Sequence, residues 1–149
     1  VYDIVCEEQP SQKLLTLSDS LPQDEVASFL GRAFPALFGA LSEAGLNPSG
    51  SPLARYHVTT DQFEVTAGVP FSGSLDAQPP MAVEVVSACT LATTVHVGSY
   101  DGLPQAFHAV IEWTQANGCT IVADPWESYL DGPEVEQPRT KVCFPVVRA

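Results

Sequence analysis

Leu21-Pro22-Gln23-Asp24-Glu25 is the stretch from which the fold of this 149-residue chain is read. Proline suits the first turn of a helix, where its missing amide hydrogen would have no partner, and two acids stand where the positive end of the helix dipole favours them. Behind it, Val26, Phe29, Leu30, Ala33, Phe34, Leu37, Phe38 and Leu41 keep the three-and-four spacing of one buried helical stripe, and Gly45 closes the run. Pro35 falls inside the stripe, so a kink is expected near residues 31–33.

Working outward, the same grammar recurs. Leu103-Pro104 opens a second helix with Leu103, Phe107, Val110, Ile111 and Thr114 on its apolar face, and Asn117-Gly118 stops it. Alternating apolar runs predict strands at residues 1–8 and 12–18 before the first helix. After it they predict a pair at 53–59 and 62–71, turning at Thr60-Asp61. Residues 81–87 and 91–97 precede the second helix as strands, and 119–123, 126–130 and 140–146 follow it. The turn Asp131-Gly132-Pro133-Glu134 joins the last two. Residues 72–80, rich in Pro and small residues, read as a linker.

The two halves match element for element. The economical reading is one α+β domain over 1–149 built by duplication of a βαββ module. Repeat 1 would span about residues 1–71 and repeat 2 about 81–149, with one mostly antiparallel sheet and two helices related by a pseudo-twofold axis and flanking a groove. A ferredoxin-like sheet is the other arrangement these elements allow.

Composition narrows the function. Hydrophobic residues make up 45% of the chain, which supports a packed core, and 13 Pro with 10 Gly imply many short elements. Eighteen acidic against six basic residues give a net charge of −12, which repels phosphate backbones and anionic membrane surfaces. Neither nucleic acid nor membrane is expected as a direct partner, and the same field favours cationic ligands. Cys6, Cys89, Cys119 and Cys143 show no metal spacing and read as small buried hydrophobes. With no signal peptide and no apolar run near twenty residues, the expected location is cytoplasmic with reduced thiols, although a chain that begins without Met leaves room for a lost leader. No cofactor and no metal are expected: His57, His96 and His108 are dispersed and read as surface or partly buried residues.

One carboxylate stands out. In Pro125-Trp126-Glu127-Ser128-Tyr129-Leu130, strand alternation sends Glu127 and Tyr129 to one face and Trp126, Ser128 and Leu130 to the other. If that face is buried, an acid beside a phenol is costly and needs a partner; if it is solvated, Glu127 is an ordinary strand acid. Aligning Ser51-Pro52-Leu53-Ala54-Arg55-Tyr56 with residues 124–129 puts Ala54 in the place of Glu127, so the site is asymmetric, with Tyr56 and Tyr129 flanking it. Such a set suits a flat cationic guest, because aromatic faces attract cations and the acid supplies counter-charge. Glu64 reads as an exposed acid, and Trp113, at the edge of its stripe, as a wall of the site or a cap on the helical core.

Val95-His96-Val97-Gly98-Ser99-Tyr100-Asp101-Gly102-Leu103, Ile111-Glu112-Trp113, residues 125–130 and Phe144-Pro145-Val146 together resemble the GyrI-like (gyrase-inhibitor-like) small-molecule-binding family. Ala54-Arg55-Tyr56-His57 and residues 63–70 extend the resemblance over nearly the whole chain. It implies paired βαββ modules with a ligand groove between the helices, as in effector-binding domains of multidrug-sensing transcription regulators. It also implies Glu127 as the charged ligand contact with Tyr56, Tyr129 and Trp113 as aromatic walls. Ser99 stands where the family usually has proline, which loosens the strand-to-helix turn. No DNA-binding segment precedes the domain in this sequence, so the expectation is a stand-alone protein that sequesters or senses a lipophilic, cationic aromatic ligand without regulating transcription by itself. Some family members are described as hydrolases of strained cyclopropanoid compounds. On that alternative Glu127 is the general base and Tyr56 or Tyr129 the proton donor. A third reading is a protein inhibitor of a nucleic-acid enzyme such as a gyrase, with that enzyme as the protein partner.

Overall fold

The alternating and three-and-four patterns resolve, in a computed structural model that describes residues 2–132 and 134–148, into two helices and nine strands among the described residues. In chain order these are β1 (Val5–Gln9), β2 (Gln12–Leu21), α1 (Val26–Glu43), β3 (Leu53–Val58), β4 (Phe63–Pro70), β5 (Ala82–Val86), β6 (Cys89–Val97), α2 (Leu103–Ala116), β7 (Cys119–Ile121), β8 (Trp126–Tyr129) and β9 (Arg139–Arg148). The fold is α+β, as the sequence pattern predicts. Of the expected elements, Val1 of the first strand and Pro133 of the acidic turn lie outside the described residues.

Each helix is entered through a short 3-10 turn, Gln23–Glu25 before α1 and Tyr100–Gly102 before α2. The Leu-Pro pairs therefore act differently. Pro22 caps the first turn from outside, its carbonyl accepting from the Glu25 amide at 3.0 Å, whereas Pro104 sits inside the first turn of α2. α1 runs on through Pro35. Its end follows from Gly45 at φ 73°: the Leu46 amide reaches back to the Leu41 carbonyl at 2.9 Å and the Gly45 amide to Ser42 at 3.0 Å, satisfying carbonyls that the helix leaves open.

The buried stripe of α1 is narrower than its apolar spacing suggests. Phe29, Ala33, Leu37 and Leu41 are buried against Leu15, Val65, Ala67 and Val69, while Phe38, predicted in the same stripe, is exposed. Phe38 lies one position beyond Leu37, which turns it past the edge of the sheet-facing arc.

The chain divides into two compact units, one of Ser11–Ser87 and one of Val1–Pro10 with Ala88–Ala149. In the first, antiparallel strands run in the order β5-β2-β4-β3, with α1 on one face. In the second the order is β1-β6-β9-β8, with β7 also on β9, and α2 buries Leu103, Ala106 and Val110 against Ala92, Val142, Phe144 and Val146. The matching strand orders agree with a duplicated module, and each unit takes one edge strand from beyond its own run of helix and strand pair. β1 joins β6, with Val5 opposite Thr93, and β5 joins β2, with Gln12 opposite Val86. A two-residue connection such as Pro10-Ser11 would suit a hairpin to the next strand. The edge hydrogen bonds go instead to partners far along the chain, a choice that local alternation does not encode.

Arg55 on β3 donates through both terminal nitrogens to Glu84 on β5, at 2.5 and 2.9 Å. That paired donation holds the Glu84 carboxyl below the usual glutamate range despite partial burial, which acts the other way. A lowered folded value means the bridge stabilises fully above the ordinary glutamate range and is lost as pH falls through the folded value. Glu84→Gln should thus lower the thermal midpoint at neutral pH by an amount that shrinks toward zero on acidification. A deficit that is unchanged in acid would show that the charge is not what stabilises.

Candidate functional site

β8 is only four residues long, and its partner β9 fixes what each side chain meets. Glu127 lies opposite Val142 and Tyr129 opposite Thr140. Val142 belongs to the apolar cluster under α2, so cross-strand neighbours on one face of the sheet place Glu127 on the helix-covered side. It is 7% exposed, and the solvated-face reading does not hold. Two residues on, Tyr129 shares that face, and its hydroxyl donates to Glu127 Oε1 at 2.8 Å.

The other face differs. Trp126 and Cys143 are opposite each other and buried, and burial pushes the Cys143 thiol up to about 12, which leaves it an unreactive filler.

Tyr100, in the turn before α2, adds a second ring beside Tyr129. Its ring meets Tyr129 edge-on, with centroids 6.2 Å apart and planes at 67°. Burial raises its ionisation above the usual tyrosine value, followed by the charges of Glu127, Glu134 and Asp131. It remains 39% exposed, so it is the aromatic ring of this group most open to an approaching molecule. The sequence names Tyr100 only within the stretch 95–103 and gives it no part in the site, since nothing local announces that this turn carries it to Tyr129.

Tyr56 and Trp113 are placed differently. Tyr56 lies on β3 opposite Val65, half-buried, edge-on to Phe63 at 6.4 Å and packed on the α1 cluster. Ala54, the counterpart of Glu127 in the repeat, is wholly buried opposite Ala67 on the same side of its strand. Trp113 is half-buried on α2 and packs against that helix's cluster. Within the second unit the structure brings Glu127, Tyr129 and Tyr100 together, while Tyr56 and Trp113, both half-buried, each pack against the apolar cluster of their own unit.

Ser99 does not leave its turn loose. Its side chain accepts from the Asp101 amide at 3.2 Å and caps the turn. His57, His108 and Glu64 are exposed as expected, but His96 is not a surface or partly buried residue: it is buried on the helix side of β6, opposite Thr140. Among the described residues no group of three or more His, Cys, Asp or Glu is placed to hold a metal ion. Nor is any helix of the described residues long and apolar enough to cross a membrane.

Tyr129→Phe removes a hydroxyl donated to a buried carboxylate, a loss of about 1–2 kcal/mol in unfolding free energy. Denaturant melts at neutral pH would measure it, and a variant as stable as the parent would show that Glu127 replaces this donor without cost.

The helix-backed antiparallel fold belongs to a class of small-molecule-binding domains. The GyrI-like small molecule binding domain matches residues 2–147, and the chain belongs to that family. No functionally curated protein matches it. Among solved structures, the EcmrR C-terminal domain aligns with a TM-score of 0.89 at 22% identity, over 100% of this chain and 99% of that one. In an EcmrR–DNA complex the match, at 21% identity and a TM-score of 0.87, covers 99% of this chain but 58% of the longer EcmrR chain. SAV2435 bound to tetraphenylphosphonium aligns with a TM-score of 0.74 at 16% identity, over 97% and 94% of the two chains. A hydrolase from Listeria innocua aligns at 0.68 and 11% identity, over 97% and 91%. At these identities the likeness is one of fold.

Proposed function

We propose that this domain binds a lipophilic aromatic cation, with Glu127 as counter-charge and Tyr129 and Tyr100 as aromatic contacts, and so sequesters or senses it. The observation that carries the reading is the placement of a carboxylate beside wholly buried Val142, with a tyrosine hydroxyl on it and a second, open ring next to that tyrosine. A buried carboxylate has lost most of its hydration, and a guest whose charge is spread over aryl groups restores the electrostatic balance without itself being strongly hydrated. The net charge of −12 raises the local concentration of cations around the protein.

SAV2435 was solved with tetraphenylphosphonium, which makes that cation the natural first probe. The test is a titration followed by fluorescence of Trp113 and Trp126, alongside a neutral analogue, triphenylphosphine oxide. Saturable binding selective for the cation supports the proposal, and equal affinity for the neutral compound removes the role of the charge. Tyr56 and Trp113 stay in the proposal as aromatic contacts, each judged from its alanine variant by cation affinity at unchanged stability.

A second reading rests on the Tyr129–Glu127 hydrogen bond, which pairs a proton donor with a potential base as hydrolysis of a strained electrophile requires. Product analysis of a cyclopropanoid substrate after incubation decides it: turnover abolished by Glu127→Gln in a folded variant would make the domain an enzyme.

A further inference from the structure

His96 is the one buried imidazole among the described residues, and the binding site does not use it directly. Its Nε2 lies 2.7 Å from the carbonyl oxygen of Ser99 and its Nδ1 2.8 Å from the Tyr2 hydroxyl. A carbonyl can only accept, so Nε2 carries the proton; in the neutral ring Nδ1 then accepts from Tyr2. The ring is thus held at both nitrogens, and through Ser99 it holds the residue that immediately precedes Tyr100. From the other side the turn closes on it: a Cβ at Gly102 would stand 2.7 Å from His96 Cε1, closer than side chains approach one another. Tyr100, carried by this turn, meets the ring of Tyr129 edge-on, and Glu127 receives the Tyr129 hydroxyl.

We infer that His96, braced by Tyr2, is a positioning residue that fixes the turn at residues 99–102 and thereby sets Tyr100 against the Glu127–Tyr129 pair. Buried, doubly bonded side chains are suited to this, because each bond lost inside the protein leaves an unpaired group and the geometry therefore has few alternatives. Glycine at 102 follows from the same packing. Its φ is an ordinary −87°, so it is close approach to the imidazole, not backbone conformation, that leaves no room for a side chain. The inference rests on the binding reading for its functional consequence but not for its geometry, and two measurements keep the two apart.

The first needs no ligand. Tyr100 ionises above the usual tyrosine value through burial and the nearby charges of Glu127, Glu134 and Asp131. In protein carrying carbon-13 at the tyrosine ring, with Tyr100→Phe assigning the resonance, His96→Leu and Gly102→Ala should move the Tyr100 titration back toward the ordinary value. His96→Gln, which keeps one donor and one acceptor, should leave it near the parent. The second measurement is tetraphenylphosphonium affinity. His96→Leu and Gly102→Ala should each weaken it by about fivefold to tenfold, the contribution of one well-placed aromatic contact, with His96→Gln close to the parent. Tyr100→Ala should cost as much, and adding His96→Leu to it should cost no more.

A Tyr100 titration unmoved in folded His96→Leu and Gly102→Ala variants overturns the inference, as does full additivity of His96→Leu with Tyr100→Ala. If His96→Leu fails to fold, Gly102→Ala against His96→Gln carries the same comparison. If the parent binds no cation, the binding reading falls, and the Tyr100 titration still decides the positioning role.

Discussion

Glu127→Gln should weaken tetraphenylphosphonium binding by about tenfold to a hundredfold while changing affinity for triphenylphosphine oxide by less than about threefold. The substitution keeps the shape of the side chain and removes its charge, and its amide oxygen can still accept the Tyr129 hydroxyl now bonded at 2.8 Å. Since the carboxylate is 7% exposed, its attraction to a bound cation is poorly screened, and the loss should persist at high salt. Equal weakening of cation and neutral analogue would reassign the effect to distortion of the site. A loss that disappears at high salt would reassign it to the general negative field of the protein.

Leu37→Ala should carry the largest stability loss, about 2–5 kcal/mol, because Leu37 is wholly buried where α1 meets Leu15, Val65, Ala67 and Val69 and the cavity left behind cannot refill from a β-sheet. Phe38→Ala, at the neighbouring position of the same helix, deletes a larger side chain. It should cost under about 1 kcal/mol, because Phe38 is exposed and its truncation opens no cavity. Chemical denaturation of the two variants is a direct comparison of burial with bulk. If Phe38→Ala were the more damaging, the sheet-facing arc of α1 would have to be turned toward Phe38.

That pair also shows how far periodicity reaches. The three-and-four spacing located α1, its Leu-Pro entry and its glycine end, because those features arise from hydrogen bonds and side-chain directions within a few residues. The same spacing could not tell Leu37 from Phe38, since both are apolar and the width of the buried arc depends on how flat a sheet lies beneath it. Likewise, alternation put Glu127 and Tyr129 on one face and predicted their proximity, which the hydrogen bond between them reflects. It left open whether that face was wet or dry.

By itself, then, the sequence determined the local elements: two helices with their caps, the alternating strands, the duplicated order of both, and the shared face of Glu127 and Tyr129. Tertiary structure alone decided everything that depends on a distant partner. Opposite Val142, on the sheet face that carries α2, Glu127 is buried; β1 pairs β6 and β5 pairs β2; the turn at Ser99 brings Tyr100 to Tyr129; and His96 lies inside the fold between Tyr2 and Ser99. The physical reason is the same in each case. Backbone geometry repeats every two or 3.6 residues and leaves its mark on neighbouring side chains, whereas burial and strand partnership are settled by which surfaces meet after the chain has closed, and no short stretch contains both surfaces.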